Sequence, residues 1–276
     1  MSFTTDRPAL TFHAGRLPLL VSFPHAGTYV PPSVAERLTD EARQVPDTDW
    51  HLPQLYAFVQ ALGASTLVAT HSRYVVDLNR APDGASLYPG QNVTGLCPVD
   101  TFDSTPLYRD PALQPDDAEI AQRRAAVWQP YHDQLRAELD RLHAAHGVAL
   151  LWDAHSIRSV LPRFFEGTLP DLNLGTNKGD SCSHVLAEKL LQVAQGAAAD
   201  GFSAVLNGRF TGGYITRHYG QPAQGFHAVQ LEMTQSSYMQ EALPFDYLPE
   251  RAAQVQPHLQ QMLQAALDFA WLQRAG

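Results

Sequence analysis

Val148-Ala149-Leu150-Leu151-Trp152-Asp153-Ala154-His155-Ser156 changes character in its middle. An apolar run, Val148 to Trp152, gives way to an acid, a small residue, a histidine and a serine. A short apolar run of this kind reads as a buried strand. Its polar cluster then stands at the strand's carboxyl end, where open α/β sheets bind their ligands. Asp153 and His155 are two apart, so on a strand their side chains share a face. The acid can then hold the imidazole in its ligating tautomer. Leu19-Leu20-Val21-Ser22-Phe23-Pro24-His25 repeats the plan. Two strands that each deliver a histidine point to one shared metal ion.

Working outward, further strands are expected over Leu17–Phe23, Thr66–Ala69, Tyr74–Leu78, Leu172–Leu174, Ser203–Leu206 and Ala228–Leu231. Helices are expected over Asp49–Leu62, Asp116–Ala145, Ser181–Ala197 and Leu248–Trp271, with Pro130 kinking or splitting the second. Ala81–Tyr108 and Asn207–Gln224, rich in Gly with Pro and Asp or Arg, read as long loops. The alternation predicts an α/β fold, with a mixed, mostly parallel central sheet covered by helices on both faces. No repeat or linker divides the chain, so residues 1–276 are expected to form a single domain.

The composition excludes several classes. Of 276 residues, 45% are hydrophobic and 17% charged, which suits a folded protein rather than a disordered one. The net charge of −9 argues against a nucleic-acid partner. It does not argue against an acidic small molecule, because a few arginines can dominate one pocket. No apolar run nears the ~18 residues of a membrane span. The amino terminus lacks the pattern of a signal peptide, so a cytoplasmic protein with no membrane partner is expected. Cys97 and Cys182 are too few for a disulfide framework and read as buried thiols. The expected assembly is a monomer or small homo-oligomer.

Candidate metal ligands are His25, His155 and one carboxylate from Pro46-Asp47-Thr48-Asp49-Trp50-His51. Asp49 is preferred, Asp47 is second and His51 is weaker; each acid has a competing use as a helix cap. Two histidines and a carboxylate with an open fourth position make the usual catalytic zinc arrangement. Glu232 ends the strand at Ala228–Leu231, where it can act as general base and then general acid. Arg73, Arg80, Arg209 and Arg217 supply guanidinium groups that match carboxylates bidentately. Asn79 and Arg80, in Asp77-Leu78-Asn79-Arg80, can bind a carboxylate or polarise a carbonyl.

These stretches, in this order, resemble the N-formylglutamate amidohydrolase family. The resemblance rests on Ser22-Phe23-Pro24-His25-Ala26-Gly27, Pro46 to His51, Ser72-Arg73-Tyr74-Val75-Val76-Asp77-Leu78-Asn79-Arg80, Asp153-Ala154-His155-Ser156 and Asn207 to Arg217. More distantly, the pattern is similar to zinc carboxypeptidases and aspartoacylase. That implies a zinc-carboxypeptidase-like (phosphorylase/hydrolase-like) fold and one divalent metal ion, zinc first. It implies hydrolysis of N-formyl-L-glutamate to formate and L-glutamate, late in histidine breakdown. The alternative is a deacylase or carboxypeptidase-like hydrolase acting on another acidic N-acyl amino acid. Under the resemblance, His25, Asp49 and His155 hold the metal and Asp153 orients a ligand. Glu232 activates water, and Arg80 or Asn79 stabilises the oxyanion. Arg73, Arg209 and Arg217 take the substrate carboxylates, with Asn79, Arg80, Gly213, Tyr214 and Thr216 also lining the substrate. Thr28 departs from the distant pattern, standing where a His-x-x-Glu glutamate belongs.

Overall fold

The computed structural model describes residues 3–85 and 94–274. Its strands are β1 (Leu10–His13), β2 (Leu19–Phe23), β3 (Ser65–Ala69), β4 (Ala149–Ile157), β5 (Leu172–Gly175), β6 (Ala204–Leu206) and β7 (Phe226–Thr234). Its α-helices are α1 (Pro32–Ala35), α2 (Leu52–Leu55), α3 (Phe58–Leu62), α4 (Asp117–Arg123), α5 (Gln129–His146), α6 (His184–Gly196), α7 (Tyr214–Tyr219) and α8 (Pro249–Arg274). The strands form one sheet in the order β1-β3-β2-β4-β7-β5-β6. β3, β2, β4 and β7 are mutually parallel, as are β5 and β6, while β1 and β5 run antiparallel to their inner neighbours. The mixed, mostly parallel α/β expectation therefore holds.

Two cores explain why helices cover both faces. On one face, Leu150, Trp152 and Ala154 of β4 pack with Leu186 and Leu190 of α6 and Leu259, Met262 and Leu263 of α8. On the other, Ala149 and Leu151 pack with Leu135, Leu139 and Leu142 of α5. Alternate residues of β4 thus serve opposite faces, and both are apolar, as a doubly covered sheet requires. Gly147, at φ +75°, ends α5 in the left-handed conformation and turns the chain into β4. The long helix expected over Asp116–Ala145 meets Pro130 with a π-helical turn over Arg124–Trp128 and then continues as α5.

Four expectations change. Asn207–Gln224 is not all loop, since it carries α7. Tyr74–Leu78 is not a strand, although its residues are buried. Its carbonyls are taken by side chains: Arg123 donates to Val75 O (3.0 Å) and His132 Nε2 to Leu78 O (2.9 Å). Those bonds replace a neighbouring strand as the segment's backbone partners. Asp49–Leu62 is not one helix, since Asp49 precedes α2 and His51 adopts φ +61°. β4 and β7 also run further than their apolar runs, so Asp153, His155 and Glu232 lie inside the ladder. Part of the Ala81–Tyr108 loop, residues 86–93, lies outside the described residues.

One polar network braces the segment after β3. Arg123 is fully buried and donates to Glu119 Oε1 from Nε (3.0 Å) and Nη2 (2.6 Å). Removing one partner of a buried pair leaves an uncompensated charge, which costs about 3–5 kcal/mol. Glu119→Ala is therefore expected to lower unfolding free energy by about that amount in denaturant titration. A loss of well under ~1 kcal/mol, the size typical of an exposed pair, would contradict this role.

Candidate active site

The strand register brings the polar residues together. Across the ladder, Ser22 stands opposite Asp153, Asp153 opposite Gln230, and His155 opposite Glu232. Residues paired in register share a face, so these five converge on the face that α5 covers. His25 follows β2 directly. Asp49 reaches the same place because its backbone N–H donates to His25 O (3.0 Å). Gly27 serves backbone packing: a Cβ there would lie 2.3 Å from His71 O.

Among the described residues, His25, Asp49 and His155 form a buried cluster that can hold a metal ion. The two Nδ1 atoms face each other at 3.1 Å. Asp49 Oδ2 lies 3.1 Å from His155 Nδ1 and 3.7 Å from that of His25. The outer nitrogens are engaged elsewhere: His25 Nε2 with Asp77 Oδ1 (2.7 Å) and His155 Nε2 with Asp153 Oδ2 (2.9 Å). With Nε2–H donating outward, each Nδ1 keeps its lone pair on the inner side, the arrangement that orients metal-ligating imidazoles, and that of His25 meets Arg73 Nη2 at 2.5 Å. The donor set thus fits a divalent ion. Asp77 was not singled out from sequence as an orienting residue; its clue was its place in Asp77-Leu78-Asn79-Arg80.

The electrostatics follow from burial and crowding. Burial alone would raise the Asp49 carboxyl, but hydrogen bonds from His155 and His25 outweigh it and hold Asp49 below the usual range. Burial would lower His155, yet Asp153 and Asp49 push it well above an ordinary imidazole. Without a cation the imidazole is therefore protonated, and an entering metal must displace that proton. Zinc titration of metal-free protein near pH 7 is expected to release protons, seen as buffer-dependent heats in calorimetry. Buffer-independent heats would contradict the protonated cluster. Burial is the largest influence on Glu232 and raises it to about 8. Its hydrogen-bond partner is Gln230 Nε2, at 3.4 Å.

The other candidate residues divide. Asp153 joins the site, held by Ser22 Oγ (3.2 Å) and His155. His25, Asp49, Arg73, Asn79, Arg80, His155, Arg209, Gly213 and Glu232 all line one cavity. Asp47 does not join the cluster, because its Oδ2 accepts from Tyr74 OH (2.6 Å) and Phe102 N–H (2.8 Å). His51 Nε2 bonds to Phe245 O instead (2.7 Å). Thr28 is exposed, which leaves Asp49 as the carboxylate facing both histidines.

Tyr214, Thr216 and Arg217 lie off the cavity wall. Tyr214 packs against Trp128, His132 and His218. Thr216 is fully buried beneath Gly212. Arg217 donates to Gly212 O (2.8 Å) and Thr211 Oγ1 (3.2 Å). All three lie on α7, where Thr216 is buried and Tyr214 and Arg217 are half-buried. Asn79 is committed internally: Oδ1 accepts from Ile215 N–H (2.8 Å) and Nδ2 donates to Asp153 Oδ2 (3.4 Å). Gly213 lets this happen, since a Cβ there would lie 2.4 Å from the Asn79 amide. Cys97 and Cys182 are buried and unpaired, and burial raises their thiols to about 11 and about 12. No helix of the described residues is long and apolar enough to cross a membrane.

A mostly parallel α/β sheet brings a buried His–Asp–His cluster that could hold a cation, a glutamate and several arginines to one cavity, an arrangement suited to a hydrolase. The N-formylglutamate amidohydrolase family model matches residues 17–239, and the chain belongs to that family. It is 54% identical to an N-formylglutamate deformylase of Pseudomonas putida, over 95% of this chain and 96% of that one. It is 53% identical to the N-formylglutamate deformylase of Pseudomonas aeruginosa over the same shares. A crystal structure of N-formylglutamate amidohydrolase from Ralstonia eutropha JMP134 has the same fold, with TM-score 0.80 and 23% identity, covering 98% of this chain and 100% of that one.

Proposed function

We propose that the protein is a zinc-dependent N-formyl-L-glutamate deformylase that releases formate and L-glutamate. The observation that carries the chemistry is the inward-facing pair of Nδ1 atoms beside Asp49, one strand away from Glu232. The substrate follows from relatives that are N-formylglutamate deformylases at more than half identity over almost the whole chain. The same reading puts the reaction late in histidine breakdown, in the cytoplasm.

In this reading His25, His155 and Asp49 are the ligands. A divalent ion held there would polarise the formyl carbonyl and acidify water. Glu232, its ionised form favoured by a bound ion's positive charge, accepts the proton of the attacking water as the C–O bond forms and returns it to the leaving amine as the C–N bond then breaks. Arg73 is assigned to steady the charge that develops on the carbonyl oxygen, because it lines the cavity with its guanidinium beside the cluster. This revises the expectation that Arg80 or Asn79 does so. Arg80 is held by Thr94 O (2.9 Å) and Asn79 O (3.1 Å) at the cavity wall. Arg80 and Arg209 are assigned to the two substrate carboxylates, and Asn79 to fixing Asp153.

The test compares formate release from N-formyl-L-glutamate with acetate release from N-acetyl-L-glutamate and N-acetyl-L-aspartate. A kcat/KM highest for the formyl compound is expected. Faster turnover of either acetyl compound would favour the alternative, a deacylase for another acidic N-acyl amino acid.

A further inference from the structure

The cavity has an apolar wall as well as a charged one, formed by Phe102, Ile157, Phe164 and Phe210. Phe102 stands where three constraints meet. The Arg73 guanidinium lies over its ring, with Cζ 4.9 Å from the centroid. The ring meets Phe164 edge-on at 5.1 Å. The backbone N–H donates to Asp47 Oδ2 (2.8 Å).

Asp47 closes the circuit. Its backbone oxygen accepts from Arg73 Nη1 (3.3 Å), so the loop that anchors Phe102 also anchors Arg73. The segment around Phe102 is braced from the far side too. Arg163 donates to Asp100 Oδ2 (2.9 Å) and Thr101 O (2.5 Å), and Arg158 pairs with Asp103 (2.8 Å). The ring is 8% exposed and has little freedom to swing away. Arg73, by contrast, has a buried Nε without a hydrogen-bond partner among the described residues. Among the described residues, its head group is held through Nη contacts to Asp47 O and His25, the Asp77 carboxylate at 3.5 Å and the ring.

We infer that Phe102 is a positioning residue for Arg73, holding the guanidinium beside His25 through its π face rather than its bulk. The inference rests on the proposed role of Arg73 in steadying the carbonyl oxygen. A cation over a desolvated aromatic face is worth about 3- to 30-fold in an equilibrium or rate. Leucine fills much of the same apolar space without a π face, whereas tyrosine keeps the face.

The test measures kcat and KM for N-formyl-L-glutamate with zinc-loaded enzyme, for Phe102→Leu and Phe102→Tyr, alone and combined with Arg73→Ala. Phe102→Leu is expected to lower kcat about 3- to 30-fold with little change in KM, and Phe102→Tyr to stay within about 2-fold. In the Arg73→Ala background, Phe102→Leu is expected to cost nothing further, because coupled residues are not additive. If Phe102→Leu does not fold, Phe102→Met takes its place. Wild-type kcat in Phe102→Leu, equal losses in Leu and Tyr, or a loss that persists without Arg73 would overturn the inference. Absence of wild-type turnover would instead overturn the reading of function.

Discussion

Glu232→Gln is expected to give a folded protein that binds zinc and substrate normally and turns over about 10²- to 10⁴-fold more slowly. Glutamine keeps the size of the side chain and its contact with Gln230 but cannot take a proton. Glu232 stands opposite His155 in the ladder, so its carboxylate is held on the same face as the cluster. A loss in kcat with little change in KM is the signature of a group that acts in the transition state. Unchanged turnover would remove Glu232 from the mechanism. The same variant has a stability signature. Burial raises Glu232 to about 8 from an ordinary value of 4.5, so the folded state holds a proton that the unfolded state releases. Stability from this group is complete below about pH 4.5 and is lost as pH rises through about 8. Metal-free Glu232→Gln should therefore melt progressively higher than wild type between those values. A difference in melting temperature that does not vary with pH would contradict the buried, protonated carboxyl.

His155→Ala should lose the metal before it loses the fold. The cluster offers one atom from each of three residues, and removing an imidazole leaves His25 and Asp49 alone. Loss of an outer partner of a ligand already costs about 10–100-fold in metal affinity, so loss of a ligand should exceed that. The substitution also strips Asp153 and Asp49 of the imidazole that both touch. Asp49→Asn is the gentler companion, because it removes a charge without opening a cavity. Zinc content after gel filtration is the readout for both. Stoichiometric zinc retained by either variant, at wild-type affinity, would show that the ion is held elsewhere.

The parts of this fold that were legible in the sequence are those where a single local pattern decides. The apolar run before Asp153 reads as a strand because it is short and apolar at every position, too short for a buried helix. The two-residue offset of Asp153 and His155 gives a shared face by geometry alone. The segment Tyr74–Leu78 misleads for a related reason. It is as apolar as a strand and as buried, but its carbonyls are taken by Arg123 and His132 from distant helices. No local pattern reveals partners that lie some fifty residues away. The same limit hid Asp77, whose bond to His25 spans the sheet's carboxyl edge. Tyr214, Thr216 and Arg217 looked like pocket residues because they follow a Gly-Gly pair beside a charged loop. The short helix they form sets them beside the cavity lining rather than in it. Thr28 posed the sharpest question in the sequence. A backbone hydrogen bond from Asp49 to His25 brings a carboxylate from a loop to the cluster, and that carboxylate is the one proposed in the glutamate's place.

The central claim is that one metal ion joins these three residues and serves the hydrolysis. A structure of the zinc-loaded protein, with the ion located by anomalous scattering, tests it most directly. The expected result is one ion within about 2.0–2.3 Å of His25 Nδ1, His155 Nδ1 and an Asp49 carboxylate oxygen. An ion bound away from these atoms, in a protein that still releases formate, would contradict it.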